Sequence, residues 1–476
     1  MGEALASGDR GARGRDRAVR DGGGGIPARR GSGGPLVESI SRDARPGPAR
    51  LRAVPSRGFT RVSPCIATLA LWCLGFQLGA VAAQSPVAAT PTVARLRVYS
   101  LRAEALEQAR QLLATGDTAL RPAYERLVRE ADVALKAGPF SVTDKRRTPP
   151  SGDKHDYVSM APYWWPDSTK PNGLPYLRRD GERNPEIRND YDAPRLAALT
   201  GAVSTLALGY YFTADERYAD HAARLLRVWF LDPATHMNPH LRYGQAIPGM
   251  TQGRAAGVIE TRSFVALVDA IGLLDRSPSW RDADAQAMRT WMSAYLQWLQ
   301  TSDIGKAEQG ARNNHGTWYD AQVAALALFT GDTGLARATL EASKARRIGA
   351  QVTRDGRQPY ELVRTRSLSY SAMNLEGLCR LAELGRAVGV NLWSYEAPGG
   401  GGSIRKALDY LAPYADTALE WHGQQITPTE PDWAVLLLER ARVAYPSARY
   451  DELLRKISGD VVLSHRARLL YPPSLR

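Results

Sequence analysis

Residues 207–226 read ALGYYFTADERYADHAARLL, and residues 321–347 return the same unit as AQVAALALFTGDTGLARATLEASKARR. Each is an apolar helical stretch, a short turn of Thr, a small residue and Asp, then a second stretch with apolar positions three and four apart. In the first unit Thr213 has Glu216 three residues on, the pattern of a capping box. Outward from these units the period persists. Residues 93–136 read as two helices, and from Asp192 onward Leu196, Leu199, Val203, Leu206 and Tyr210 share one face. Further helices are predicted at 257–274, 280–300, 368–384, 403–415, 429–444 and 447–456, with Gly385 placed to stop the helix at 368–384. Val/Ile alternation is nearly absent. The expectation is an all-α chain of helical hairpins. An open solenoid usually shows a fixed period, and none is present. The long irregular inserts at 137–190 and 231–256 suit the rim of a closed α/α toroid, so one domain is expected over residues 90–476.

The amino-terminal part reads differently. Residues 1–61 hold thirteen arginines, six acidic residues and no lysine, with GGGG at 22–25, and contribute +7 of the chain's +13. Such a stretch lacks the apolar surface to order itself; it reads as disordered or as a mis-assigned basic leader. Residues 62–83, VSPCIATLALWCLGFQLGAVAA, carry no charge and end in small residues before Gln84-Ser85-Pro86. Arg57 and Arg61 precede them. This is the pattern of a signal peptide with cleavage near Ala83. It predicts export to the periplasm or beyond, without stable membrane insertion afterwards. With three cysteines in 476 residues, neither a disulfide scaffold nor a four-cysteine metal site is possible. Cys379, the one cysteine after the leader, sits in an apolar helical face and reads as a buried small hydrophobe.

Three constellations carry candidate chemistry. Arg312-Asn313-Asn314-His315-Gly316-Thr317-Trp318-Tyr319-Asp320 precedes the apolar helix 321–329. Asn314 can donate an amide N–H, His315 can donate or accept, and Gly316 would admit a close ligand. Taken alone, the motif also fits a helix cap with Trp318 as core. The stretch 361–371, ELVRTRSLSYS, sets Arg364 and Arg366 before Tyr370 at the front of a helix. Aromatic and amide-rich rim segments supply Tyr163, Trp164 and Trp165, then Asn238, Tyr243 and Gln245, then Trp421 and Gln424, with Trp318 and Arg366 as further candidate substrate contacts. Flat rings beside amides and arginines suit a sugar-binding groove, and equally a polar loop pinned to a helical body. The segment 137–190 is too aromatic for a linker and is expected to be ordered and draped over a site.

Asn, His, Arg and Tyr together make poor metal-site material, and no cofactor is expected. They suit proton abstraction next to a carboxylate. In a uronic acid residue C5 lies alpha to the carboxylate, and an arginine and an amide aimed at that group stabilise the developing enolate-like charge. A tyrosinate or neutral imidazole takes the proton, and a nearby arginine would favour the phenolate. The glycosidic oxygen at C4 leaves and needs a proton, which a tyrosine can return.

At these residues the chain resembles the alginate lyase superfamily of polysaccharide lyases, over roughly residues 140–440 and closer to its glucuronan/alginate-type branch. NNHGTWYD at 313–320 matches the family's Asn-Asn-His segment, and ELVRTRSLSYS at 361–371 its Arg and Tyr segment. The resemblance implies an (α/α)6 or (α/α)7 incomplete toroid. It implies Asn314 as the neutralising amide, His315 as the catalytic histidine, Tyr370 as base and acid, and Arg364 as the arginine, with Arg366 in reserve. The expected activity is β-elimination on an anionic polysaccharide of the alginate or glucuronan type. Two other readings compete. A glycoside hydrolase on a similar toroid would use paired carboxylates from Asp153, Asp156, Asp167, Glu186, Asp190 and Asp192. A periplasmic glycan-binding protein would need no catalytic constellation. Nucleic acid is not expected as a partner, since no helix-turn-helix, zinc finger or RNP-like strand is present. Oligomeric state does not follow from the sequence.

Overall fold

The computed structural model describes residues 96–473 apart from 189, 417 and 431. The basic leader and the signal segment therefore fall outside the described residues. Sixteen α-helices are described: α1 Ala103–Ala114, α2 Arg121–Ala134, α3 Asp192–Thr213, α4 Glu216–Leu226, α5 Phe264–Leu274, α6 Asp282–Thr301, α7 Asp303–Gln309, α8 Asn314–Thr330, α9 Thr333–Ser343, α10 Pro359–Leu362, α11 Ser367–Gly385, α12 Ile404–Leu411, α13 Asp432–Ala444, α14 Ala448–Lys456, α15 Gly459–Ser464 and α16 Ala467–Leu470. The fold is predominantly helical and toroid-like, with no closed sheet among the described residues.

Burial sorts the helices. From Gly316 to Leu328 every residue of α8 is buried, and α5 and α11 are buried on most of their circumference. A helix apolar all round needs neighbours on every side. Accordingly α8 packs against α5, α6, α9 and α11, while α3 packs against α2, α4 and α5. The helices α4, α12 and α14 bury one stripe and face water with the other, as outer members of hairpins do. By length and composition α3 could cross a membrane, but half of that stretch is buried inside the fold. One continuous core runs from Leu106 through Trp229, Phe264, Leu326 and Leu378 to Leu469. Cys379 lies in it, and burial pushes its thiol up to about 12.

The repeated hairpin unit is present with a shared turn chemistry. The residue ending α3, Ala214, is left-handed (φ 58°), and Asp215 then caps α4 by accepting the Arg217 N–H. Gly331 (φ 92°) ends α8, and Asp332 caps α9 by accepting the Leu335 N–H. The capping box expected of Thr213 and Glu216 is therefore absent: aspartate reaches the exposed N–H groups first. Glu216 instead accepts from Ser277 and Ser279 at the foot of α6. Gly385 is the last α-helical residue of α11, as expected. A 3-10 turn, Arg386–Val388, follows it, and the left-handed Gly389 (φ 69°) closes that turn. Gly385 is small because the Val390 carbonyl approaches within 2.2 Å of where a Cβ would be.

Four short strands organise the inserts. The strand β1 (Val158–Met160) pairs in parallel with β4 (Tyr243–Ala246), which docks the 137–190 insert on the 231–256 insert. Strands β2 (Trp164–Trp165) and β3 (Leu177–Arg178) pair antiparallel. The long segment is thus ordered, and its Tyr163 and Asp180 side chains reach the first turn of α11 and the residues just before it.

Candidate active site

Local structure places the Asn-Asn-His segment at a helix start. Asn313 is the N-cap of α8, its side chain accepting the His315 N–H at 3.3 Å. Asn314 is fully buried and donates to both oxygens of Glu361, through its backbone N–H at 2.6 Å and its amide Nδ2 at 2.7 Å. Its Oδ1 is buried without a partner. Burial raises the Glu361 pKa against the pull of these two donors. His315 Nδ1 meets Glu308 Oε1 at 2.6 Å. That carboxylate, at the end of α7, fixes the ring and leaves Nε2 without a partner among the described residues.

What holds this turn in place is a buried ion pair. Beyond α9 a π turn, Lys344–Gly349, carries Arg347 inward, where its guanidinium donates to Asp320 (2.7 Å) and to the carbonyls of Ala311 and Gln309 (2.7 Å each). Gly316 lies under that guanidinium: a Cβ there would sit 2.1 Å from the Ala311 carbonyl and 2.2 Å from Arg347 Nη1. The glycine accommodates a protein group, not the ligand expected from the sequence. Gly316→Ala is expected to destabilise the chain by about 2 kcal/mol or more through forced displacement of a buried cation, read as a lower urea midpoint. An unchanged midpoint would mean Arg347 can move freely.

The second segment converges on the first through Glu361, which sits on α10 three residues before Arg364. Arg364 donates from Nε and Nη2 to Asp180 (3.0 and 2.8 Å) in the draped insert. Its guanidinium lies 3.8 Å from the centroid of the Tyr370 ring. Burial of Asp180 favours its neutral form, but the Arg364 bonds, the Thr365 N–H and Arg178 overcome that and hold its carboxyl well below the usual range. Tyr370 Oη donates to Tyr163 Oη at 2.5 Å. Here the sequence-based expectation needs correction. Burial and the Tyr163 hydroxyl raise the Tyr370 pKa well above its ordinary value, and Arg364 only opposes them. In the unliganded chain Tyr370 is therefore a phenol.

The remaining rim residues divide. Trp164 and Trp165 are half-buried on β2, with Arg179 over the Trp165 ring at 5.2 Å. Trp421 is half-buried, donates to Ser367 Oγ at 2.8 Å and lines a cavity of about 440 Å³ with Tyr414 and Trp433. Four expected sugar contacts are turned to protein instead. Trp318 is core, its indole N–H donating to the Met373 carbonyl. Tyr243 is buried with Val158, Met160 and Tyr191. Asn238 binds Asp153 and Asp156 at 2.8 and 2.7 Å. Gln245 is buried with its Oε1 on Arg254. Gln424 meets the site segment through its backbone carbonyl, which accepts from Ser367. Arg366 has its Nε buried without a partner and lines a separate cavity with Glu376, Glu430 and Asp432.

Glu308, Glu361 and Asp180 escaped sequence reasoning, as did Gln425, whose Oε1 accepts from the first N–H groups of α11. Asp180, Glu361 and Gln425 take their meaning from partners distant in sequence, and Glu308 from a turn that brings it back on His315 seven residues on. The carboxylates a hydrolase would need are all committed to protein partners. Asp153 and Asp156 hold Asn238, and Asp192 pairs with Lys145 at 3.1 Å. Asp190 takes the N–H groups of Arg146 and Arg147, Asp167 those of Thr169, and Glu186 the Tyr176 hydroxyl.

Paired helical hairpins that carry a tyrosine under an arginine, beside a carboxylate-held histidine, define the class of α/α-toroid polysaccharide lyases. Comparison with known proteins agrees. The alginate lyase family model matches residues 141–421. A crystal structure of an alginate lyase from Bacteroides ovatus is 40% identical, with a TM-score of 0.75 over 80% of this chain and 99% of that one. Alginate lyase A1-III from Sphingomonas species A1 shares the fold at 17% identity, with a TM-score of 0.52 over 80% of this chain and 98% of its own. No curated protein matches. The chain belongs to the alginate lyase family. It is a polysaccharide lyase acting on a uronic-acid polymer.

Proposed function

We propose that the chain is an exported lyase that cleaves alginate or glucuronan-type chains by β-elimination at C4–C5, leaving a 4,5-unsaturated uronate end. The observation that carries the residue assignment is the Arg364 guanidinium stacked on Tyr370, whose hydroxyl faces Tyr163 across the insert. In this reading Arg364 stabilises the charge that develops on the substrate carboxylate as the C5–H bond breaks; Asn314, the second donor expected there, is buried with its amide N–H on Glu361 and supports the site from behind. Arg364 donates to Asp180 through Nε and Nη2, which leaves Nη1 for that purpose. Tyr370 in its phenolate form takes the C5 proton. The C4–O bond then breaks, the C4=C5 double bond forms, and Tyr370 returns the proton to the departing glycosidic oxygen. The leader pattern at residues 62–83 supports export to the periplasm or the medium.

The face of the sugar decides the part played by His315. Where proton and leaving group are syn, Tyr370 serves both. Where they are anti, a second base is needed on the opposite face, and the free Nε2 of His315 is suited to it. The test is incubation with polymannuronate, polyguluronate and glucuronan, following the ultraviolet absorbance of the new conjugated double bond. Activity on at least one is expected, and His315→Gln should reduce the anti-type activity far more than the syn-type. Reducing ends without absorbance would indicate hydrolysis and overturn the reading. Equal, small losses on every polymer would remove His315 from the chemistry.

A further inference from the structure

We infer that Arg254 is the receptor for a substrate carboxylate on the sugar next to the one that reacts, and that Gln245 is the residue that positions it. The inference rests on the lyase reading above.

Arg254 stands immediately before a 3-10 turn, Ala255–Thr261, that packs against α7, which carries Glu308, and against α8, which carries His315. The charged groups facing it are Glu308 and Glu260, with Arg178 beside it. Arg178 in turn donates to Asp180, the partner of Arg364. Arg254, at the end of the 231–256 insert, thus lies within electrostatic reach of the carboxylate that holds His315 and of the arginine that shares Asp180 with Arg364.

Its bonding is incomplete in a way that a structural arginine's is not. Nη2 donates to Gln245 Oε1 at 2.6 Å, a neutral acceptor. Nε is sealed from water with no partner. No carboxylate pairs with Arg254 among the described residues. The other arginines with a buried, unpartnered nitrogen differ. Arg346 has Asp320, Arg440 has Glu383, and Arg442 and Arg468 have Glu439. Arg366 shares its cavity with three acids. A desolvated cation without a counter-ion is unfavourable unless a ligand supplies the charge, and burial does lower the Arg254 pKa from its usual value. Glu260 does not compensate. It is already occupied by Tyr157 Oη (2.8 Å) and Ser159 Oγ (2.6 Å), and burial raises its pKa to about 7.

The scaffold around Arg254 is built to hold it. Gln245 has a left-handed backbone (φ 50°), a strained conformation for a residue with a side chain. It persists because the Gln245 N–H donates to Ser159 Oγ at 2.7 Å. The loop behind is tight: a Cβ on Gly257 would sit 2.6 Å from the backbone of Gly244. A guanidinium presented this way offers a fork that matches a carboxylate.

The test uses the full chain carrying Tyr370→Phe as the parent, titrated calorimetrically with mannuronate and glucuronate tetrasaccharides. Adding Arg254→Gln is expected to weaken binding at least tenfold, with Arg254→Lys recovering part of it. The methyl esters of the same sugars should bind the parent and Arg254→Gln alike. In the otherwise wild-type enzyme Arg254→Gln should raise KM with a smaller change in kcat. Should Arg254→Gln unfold, Gln245→Met keeps the charge, unseats the fork and is expected to weaken acid binding about threefold. Acid-form binding as tight in Arg254→Gln as in the parent overturns the inference, as does a loss of kcat at constant KM. A wild-type chain that cleaves no uronate polymer instead overturns the lyase reading and the inference with it, so the two failures are distinguishable.

Discussion

Tyr370→Phe is expected to abolish turnover, by at least about 10²-fold, while leaving fold and substrate affinity largely intact. The substitution removes a single oxygen. The ring stays under Arg364 and the Arg364–Asp180 pair is untouched. What disappears is the group that takes the C5 proton and returns it to the glycosidic oxygen. The resting state adds a second expectation. Burial and the Tyr163 hydroxyl keep Tyr370 protonated, so wild-type turnover should climb as pH rises into the alkaline range, where the phenolate population grows. Near-wild-type turnover by Tyr370→Phe would transfer the acid–base role to His315.

Arg364→Ala carries the other large effect. Loss of a preorganised donor at a developing charge is worth on the order of 3–4 kcal/mol in kcat. The structure sharpens this expectation. Arg364 is the group near Tyr370 that favours its phenolate, so its removal should also move the alkaline limb of the pH profile further up. Arg366→Ala should do neither, because Arg366 lies in the cavity with Glu376, Glu430 and Asp432. If Arg366→Ala is the crippled variant, the assignment of the arginine is wrong. A parallel fall in thermal stability for Arg364→Ala would show that its bonds to Asp180 mainly pin the insert, and Arg364→Lys, with charge but no fork, would separate the two roles.

Much of the fold was legible because it is local. The three-and-four period and the Thr–small–Asp turns of 207–226 and 321–347 determine helices and hairpins from neighbouring residues alone. The buried character of α8 was visible as an apolar run, and the Asn-Asn-His and Arg–Tyr segments stood out as polar groups interrupting helical pattern. The caps were less legible. Asp215 displaced the expected Thr213–Glu216 box, because several residues within one turn could satisfy the same backbone groups, whereas Gly385 does end its α-helix.

Tertiary structure alone decided which side chains face substrate and which face protein. Trp318, Tyr243, Asn238 and Gln245 have the composition of a sugar groove, yet each is satisfied internally, the first three by partners far along the chain and Gln245 by Arg254 on the same insert. It also decided the protonation of Tyr370, where burial and Tyr163, 207 residues away, outweigh the adjacent arginine. Sequence determined the residue types and the helical frame. Desolvation and hydrogen-bond satisfaction are properties of the assembled neighbourhood, so the pairing of Glu361 with Asn314 and of Asp180 with Arg364 exists only once distant segments have met, the second of them where the 137–190 insert reaches the residues before α11.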